Sequence, residues 1–197
     1  MNPTGVLDFW FRELDPRQWF KASAKLDAEI SRRFGAWVEA ALGGDLDVWA
    51  GTPRGRLALI LLLDQFTRNG GRGGAEAFAG DAKAQTLVLD GLASGADRKL
   101  NIGERHFFYM PLMHAEDPKL QALSLEKFAA VQREAQSQVK YAKDHAATIA
   151  RFGRFPARNA ALGRPSTPEE EAFLKGRPGG RARSRTSSDM KIDAEQL

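Results

Sequence analysis

Between Leu57 and Leu63 every residue is apolar, and a few positions earlier Thr52-Pro53 pairs a capping hydroxyl with a proline. That dipeptide is a helix start, since proline is tolerated at the first helical position and the threonine side chain can take an orphan N–H. The spacing predicts a helix over Pro53 to Thr67. A helix apolar on all sides has no face for water and must run through the middle of the fold. The run is also far too short to span a bilayer, which takes about 20 residues. The rest of the chain therefore has to supply amphipathic segments that cover it.

The flanking sequence reads almost entirely as such segments. Gly5 to Leu14 carries Phe9, Trp10 and Phe11 and is stopped by Pro16; Trp19 and Phe20 follow in a connection, as core or lid packing. In Ala24 to Trp37 the apolar residues Leu26, Ile30, Phe34 and Trp37 recur at helical spacing, a further turn reaches Leu42, and Gly43-Gly44 ends it. Asp45 to Trp49 is a short helical piece, and Gly70 to Gly74 is a break just before a helix. Asp81 is expected to cap a helix over Ala82 to Ala93, with Gly95 just past its end. Gly103 to Met113 forms another, which Pro111 kinks or shortens. Asp117-Pro118 repeats the cap-plus-proline signal, and Lys119 to Phe152 then contains neither glycine nor proline. The polar stretch Gln132 to Gln138 is expected to divide this segment into two antiparallel helices. Thr167-Pro-Glu-Glu170 is a capping box that opens a last helix ending near Leu174.

No stretch alternates apolar and polar residues with β-branched enrichment, so no sheet is predicted. The expected architecture is all-α: stacked antiparallel helical hairpins, as in tetratricopeptide-repeat folds or a short bundle, in one domain over residues 1–174. Residues 175–197 are rich in Gly, Pro, Ser and Arg and are expected to be a disordered basic tail.

The net charge of +4 is misleading until it is divided along the chain. The tail carries six basic and three acidic residues, so +3 of the charge belongs to it and only +1 to the body. A nearly neutral body gives no electrostatic footprint for nucleic acid. The absence of cysteine excludes a disulfide framework, a thiol nucleophile and thiolate metal ligation. It suits a cytoplasmic protein. No basic region followed by a long apolar run opens the chain, so no signal peptide and no membrane segment are expected.

Four polar clusters stand against this apolar frame. In Leu63-Asp-Gln-Phe-Thr-Arg-Asn69, Asp64 and Arg68 are four apart and share a helix face, either as a structural ion pair with Asn69 as a cap or as part of a site in which Arg68 and Arg72 hold an anion. Gly70-Gly-Arg-Gly-Gly74 could cradle phosphate at a helix start, but it lacks the Lys-Ser/Thr ending of a P-loop and follows a helix rather than a strand. His114 with Glu116 and Asp117 could supply an acid or base, or be a satisfied, partly buried histidine with carboxylates at a helix start. No metal-ligand spacing accompanies it. Finally His145, Arg151, Arg154, Arg158, Asn159 and Arg164 gather near Phe152 and Phe155. Such a group suits a carboxylate or phosphate, or a buried network with Asp64, Asp81, Glu116 and Asp117.

These motifs, in this order, resemble a bacterial family known as domain of unknown function 924. The resemblance rests on Phe9-Trp-Phe11, Trp19-Phe20, Leu63-Asp-Gln-Phe66 with Arg68-Asn69 and Arg72, Ala77-Phe78 and Asp81. It continues through Tyr109, Pro111-Leu112, His114, Glu116-Asp117, His145, Arg151-Phe-Gly-Arg-Phe-Pro156, Arg158-Asn159, Leu162-Gly-Arg164 and Glu170, and spans about Val6 to Leu174. It implies an all-α fold similar to tetratricopeptide-repeat domains and no particular reaction. Ala157 stands where the resemblance leads one to expect histidine, Ala115 where serine is usual, and Gly70-Gly71 where larger residues are usual.

Three functions fit the sequence. One is a binding module that holds an anionic small molecule or peptide carboxylate in an Arg/Asn-rich concavity formed where the central helix meets the C-terminal third. The second is a hydrolase using His114 or His145 with Asp64 or Glu116. The third is a scaffold that presents an apolar groove to a partner.

Overall fold

A computed structural model describes residues 1–176 of the chain. The secondary structure of these residues is helical throughout, with no strand among them, so the chain is all-α. The tail expected from residue 175 lies, beyond Gly176, outside the described residues. The chain divides into two compact units, Met1–Ser137 and Gln138–Leu197.

The first unit is built around α3 (Pro53–Ile60), which Thr52 caps by accepting from the Gly55 N–H at 3.1 Å. Leu57 to Leu63 are all fully buried, as a helix without a polar face requires. Each leucine so buried contributes about 1.5–3 kcal/mol of transfer free energy. Around α3 lie α1 (Pro3–Asp8), α5 (Asp81–Ala93), α6 (Ile102–Met113) and the short 3-10 turn Asp47–Gly51. The apolar stripe of α2 (Ala24–Gly43) buries Leu26, Ile30 and Phe34, and Gly44 ends that helix at φ 96°. The N-terminal aromatics close one side: Phe9 and Trp10 are 1% exposed, and Trp10 packs on Phe66 and Phe107.

The central helix does not stay α-helical. From Leu61 to Phe66 it widens into a π-helical turn before α4 (Thr67–Gly70) closes it. A π-turn inserts an extra residue and shifts the faces that follow. Here that residue set includes Asp64 and Gln65, which become buried at the end of an otherwise apolar helix.

Three sequence expectations are corrected. The chain from Pro118 to Phe152 is one helix, α7, of 35 residues rather than two antiparallel ones. Polar residues alone do not end a helix; with no glycine or proline between Gln132 and Gln138, nothing breaks its hydrogen-bond ladder. Asp81 is not a cap: Gly80 occupies the cap position without a side-chain bond, and the Asp81 carboxylate is engaged by Arg68 instead. The glycine-rich break does not open onto a helix of any length, because the four-residue 3-10 turn Ala75–Phe78 follows it.

Gly80 explains how Asp81 reaches its partner. A Cβ there would collide with the Leu63 carbonyl, so only glycine lets this loop lie flat on the central helix beside Asp64. Gly80→Ala is expected to cost about 1–3 kcal/mol, since backbone must move to admit the methyl. Urea denaturation measures it, and an unchanged midpoint would show that the loop does not press on Leu63.

In the second unit, the end of α7 is followed by the 3-10 turn Pro156–Arg158 and by α8 (Pro168–Lys175). Thr167 and Glu170 form the expected capping box of α8.

Candidate functional site

Asp64 is the most deeply placed charged group of the first unit, with its side chain 1% exposed. The π-turn aims it at the C-terminal end of α6, where His114 is the residue at which that helix stops. Asp64 Oδ1 lies 2.8 Å from His114 Nδ1 and 3.0 Å from Arg68 Nη1. Its Oδ2 accepts from Gln65 Nε2 at 2.6 Å. Three donors thus converge on one carboxylate, the arrangement that makes a buried charge tolerable.

Arg68 is held as firmly. Nη1 donates to the Asp64 carbonyl at 2.7 Å, and Nη1 and Nη2 form a two-pronged pair with Asp81 Oδ1 and Oδ2 at 2.8 and 2.9 Å. Its guanidinium also lies 5.7 Å from the centre of the exposed Phe78 ring. The four-residue spacing of Asp64 and Arg68 predicts their pairing, and the structure has it.

An ionised carboxylate only accepts, so the contact with Asp64 makes His114 Nδ1 the donor. The other ring nitrogen, Nε2, has no hydrogen-bond partner among the described residues. His114 lines an open cleft of about 750 Å³ together with Arg68, Phe78, Asp81, Ala82, Gln85, Glu116 and Asp117. Three carboxylates against one guanidinium give this lining a negative balance. Asp117 also caps α7, its Oδ1 accepting from Lys119 N at 2.6 Å. Among the described residues no serine or threonine lines the cleft. Among the described residues no group of three or more His, Asp or Glu is arranged to hold a metal ion. No helix among them is long and apolar enough to cross a membrane.

The remaining sequence candidates fall into other groups. Asn69 is not a cap; its Nδ2 donates to Asp27 Oδ1 at 2.8 Å. Arg72 grips the same carboxylate through Nε at 2.7 Å and Nη2 at 3.0 Å. The Arg72 hydrogen bond holds the Asp27 carboxyl below its usual pKa. In the second unit, Arg151 pairs with Glu169 at 2.8 Å and Arg154 grips Glu170 at 2.7 and 2.8 Å. Asn159, 1% exposed, donates to the same Glu170 at 3.1 Å. The carboxylates that meet Arg151 and Arg154 there are therefore those of α8. Arg158 lies over Phe155, 4.6 Å from the ring centre. His145 Nδ1 lies 2.8 Å from the Tyr141 carbonyl of its own helix, and its ring packs on Phe155.

Sequence reasoning missed Gln65 as a donor to Asp64, Phe78 and Gln85 at the cleft, and the roles of Asp27, Glu169 and Glu170 as arginine partners. The last two stand in the first turn of a helix, where acidic residues are expected for capping alone.

No curated protein matches the chain. A solved structure, that of the protein of unknown function ATU0120 from Agrobacterium tumefaciens, is similar, with 36% identity and a TM-score of 0.62 over 88% of this chain and 96% of that one. Residues 6–178 match the family described as bacterial protein of unknown function, DUF924. That match takes in nearly the whole of the first unit and well over half of the chain, and the chain belongs to the DUF924 family.

Proposed function

We propose that the chain is a cytoplasmic enzyme in which His114, oriented by Asp64, is the general base of a hydrolytic reaction. The observation that supports this most is the 2.8 Å contact between a fully buried carboxylate and an imidazole at the cleft wall. A carboxylate on Nδ1 fixes the ring and its tautomer and stabilises the imidazolium that forms when Nε2 takes a proton. With no serine or threonine among the described residues of the lining, the proton in this reading comes from water: Nε2 removes it as the oxygen attacks, and the imidazolium returns it to the leaving group. The negative balance of the lining favours a neutral or cationic substrate over an anionic one.

The test is turnover of a panel of neutral and amine-bearing chromogenic esters, amides and glycosides by wild type and His114→Gln. Wild type is expected to turn over at least one of them, and the variant to lose about 10²–10⁴-fold in kcat while still melting cooperatively above the assay temperature. Equal turnover by the variant, or none by wild type across the panel, sinks the assignment.

A second reading, a module for an anionic small molecule or peptide carboxylate, draws on Arg158, which has no carboxylate partner among the described residues. Against it, Arg68, Arg72, Arg151 and Arg154 are each already engaged by a carboxylate. Phosphate, citrate and an acidic peptide are expected to leave Tm unchanged. A rise that Arg158→Ala abolishes would restore this reading.

A further inference from the structure

A second hollow of the first unit, of about 720 Å³, lies between α2 and α4 and takes no part in the cleft of His114. Its floor is Ile30 and Phe66, each 1% exposed, and Val38 and Leu42 stand beside them. The space exists because side chains are missing. A Cβ on Gly35 would meet nothing within 4 Å, and one on Gly70 only the Ser31 hydroxyl at 3.5 Å. Neither glycine has a positive φ, so neither is required by the backbone.

The polar groups of the lining divide into spent and unspent. Arg72 has its Nε and Nη2 on Asp27, and the Thr67 hydroxyl donates to the Leu63 carbonyl at 2.8 Å. Glu39 and Glu76, at the exposed rim, have no hydrogen-bond or ion-pair partner among the described residues. An apolar floor under two carboxylates without a partner among the described residues, with Arg72 already paired, is complementary to an apolar body that carries positive charge.

We propose that this hollow binds a small organic amine, its apolar body against Val38 and Leu42 above Ile30 and Phe66 and its ammonium group against Glu39 and Glu76. The site is independent of the acid–base reading of His114 and stands or falls without it.

Calorimetric titration of the full chain with 4-phenylbutylamine, 4-phenylbutanol and 4-phenylbutyrate tests it. The three share one apolar body and differ in charge. The amine is expected to bind about tenfold or more tightly than the alcohol and the acid, since a charge-assisted contact is the strong one. Gly35→Leu, which puts a side chain into the space and favours the helix, is expected to weaken the amine about tenfold or more at undiminished Tm. The double substitution Glu39→Gln and Glu76→Gln, on the exposed rim, is expected to erase the preference of amine over alcohol. No binding of the amine at millimolar concentration, equal binding of the acid, or amine affinity unchanged in either variant overturns the proposal.

Discussion

Replacing Asp64 by alanine is expected to destabilise the first unit by about 3–5 kcal/mol, the range for removing one partner from a buried charged network. The carboxylate has lost its water and is repaid by donors from three residues, His114, Arg68 and Gln65. Deleting it leaves those donors facing a hole. Arg68 keeps Asp81 and the Asp64 carbonyl, so it stays charged and partnered. Gln65 Nε2 has no second acceptor among the described residues, and His114 loses the group that fixes its ring. Asp64→Asn preserves shape but offers one accepting oxygen where three donors compete, so its cost falls between wild type and alanine. Urea denaturation orders the three. A loss below about 1 kcal/mol for Asp64→Ala would mean that the network is not formed in solution.

This network also marks how far the sequence could be read. Helix starts were legible because a cap acts within four residues: Thr52-Pro53, Asp117-Pro118 and Thr167 to Glu170 all open helices where expected. The burial of Leu57 to Leu63 followed from their chemistry alone. The Asp64–Arg68 pair was legible for the same local reason. The convergence of His114 on Asp64 was not, since the two lie 50 residues apart and meet because a π-turn rotates one helix and another stops at the right place. Nothing in residue type signals a π-turn. Asp81 shows the converse error: its position before an amphipathic run fits a cap, yet a guanidinium thirteen residues earlier offers two charge-assisted bonds where a cap offers one neutral N–H.

The arginines carry the same lesson for function. Read along the chain, Arg68, Arg72, Arg151 and Arg154 fit either an anion site or structural ion pairs. Each in fact holds a carboxylate of its own unit, Asp81, Asp27, Glu169 and Glu170 in turn. Bidentate pairing fixes the geometry of both partners, so these residues tie segments together before they can recognise a ligand. What remains unpaired in the first unit's cavities is imidazole and carboxylate, which moves the chemistry toward bases and cationic ligands.

Acidification is expected to open the α8 end of the second unit, through Glu170. This carboxylate, 2% exposed, accepts from Arg154 through both oxygens, from the Thr167 N–H at 2.8 Å and from Asn159. The Arg154 hydrogen bonds foremost, with the Thr167 N–H, hold its pKa at about 2, below the ordinary 4.5. The folded form thus prefers the ionised group and the open form takes up a proton more readily. Stability from this source is complete above pH 4.5 and is lost as the pH falls toward 2. Within that window the equilibrium constant for opening rises about tenfold for each unit by which the pH falls. Amide exchange over α8, read by mass spectrometry between pH 5 and 2.5 with the intrinsic rate divided out, should show that slope. In Glu170→Gln the slope should be absent, because the group that titrates is gone, and α8 should be poorly protected at every pH. Should the slope persist in that variant, another carboxylate governs the unit and Glu170 is only a helix cap.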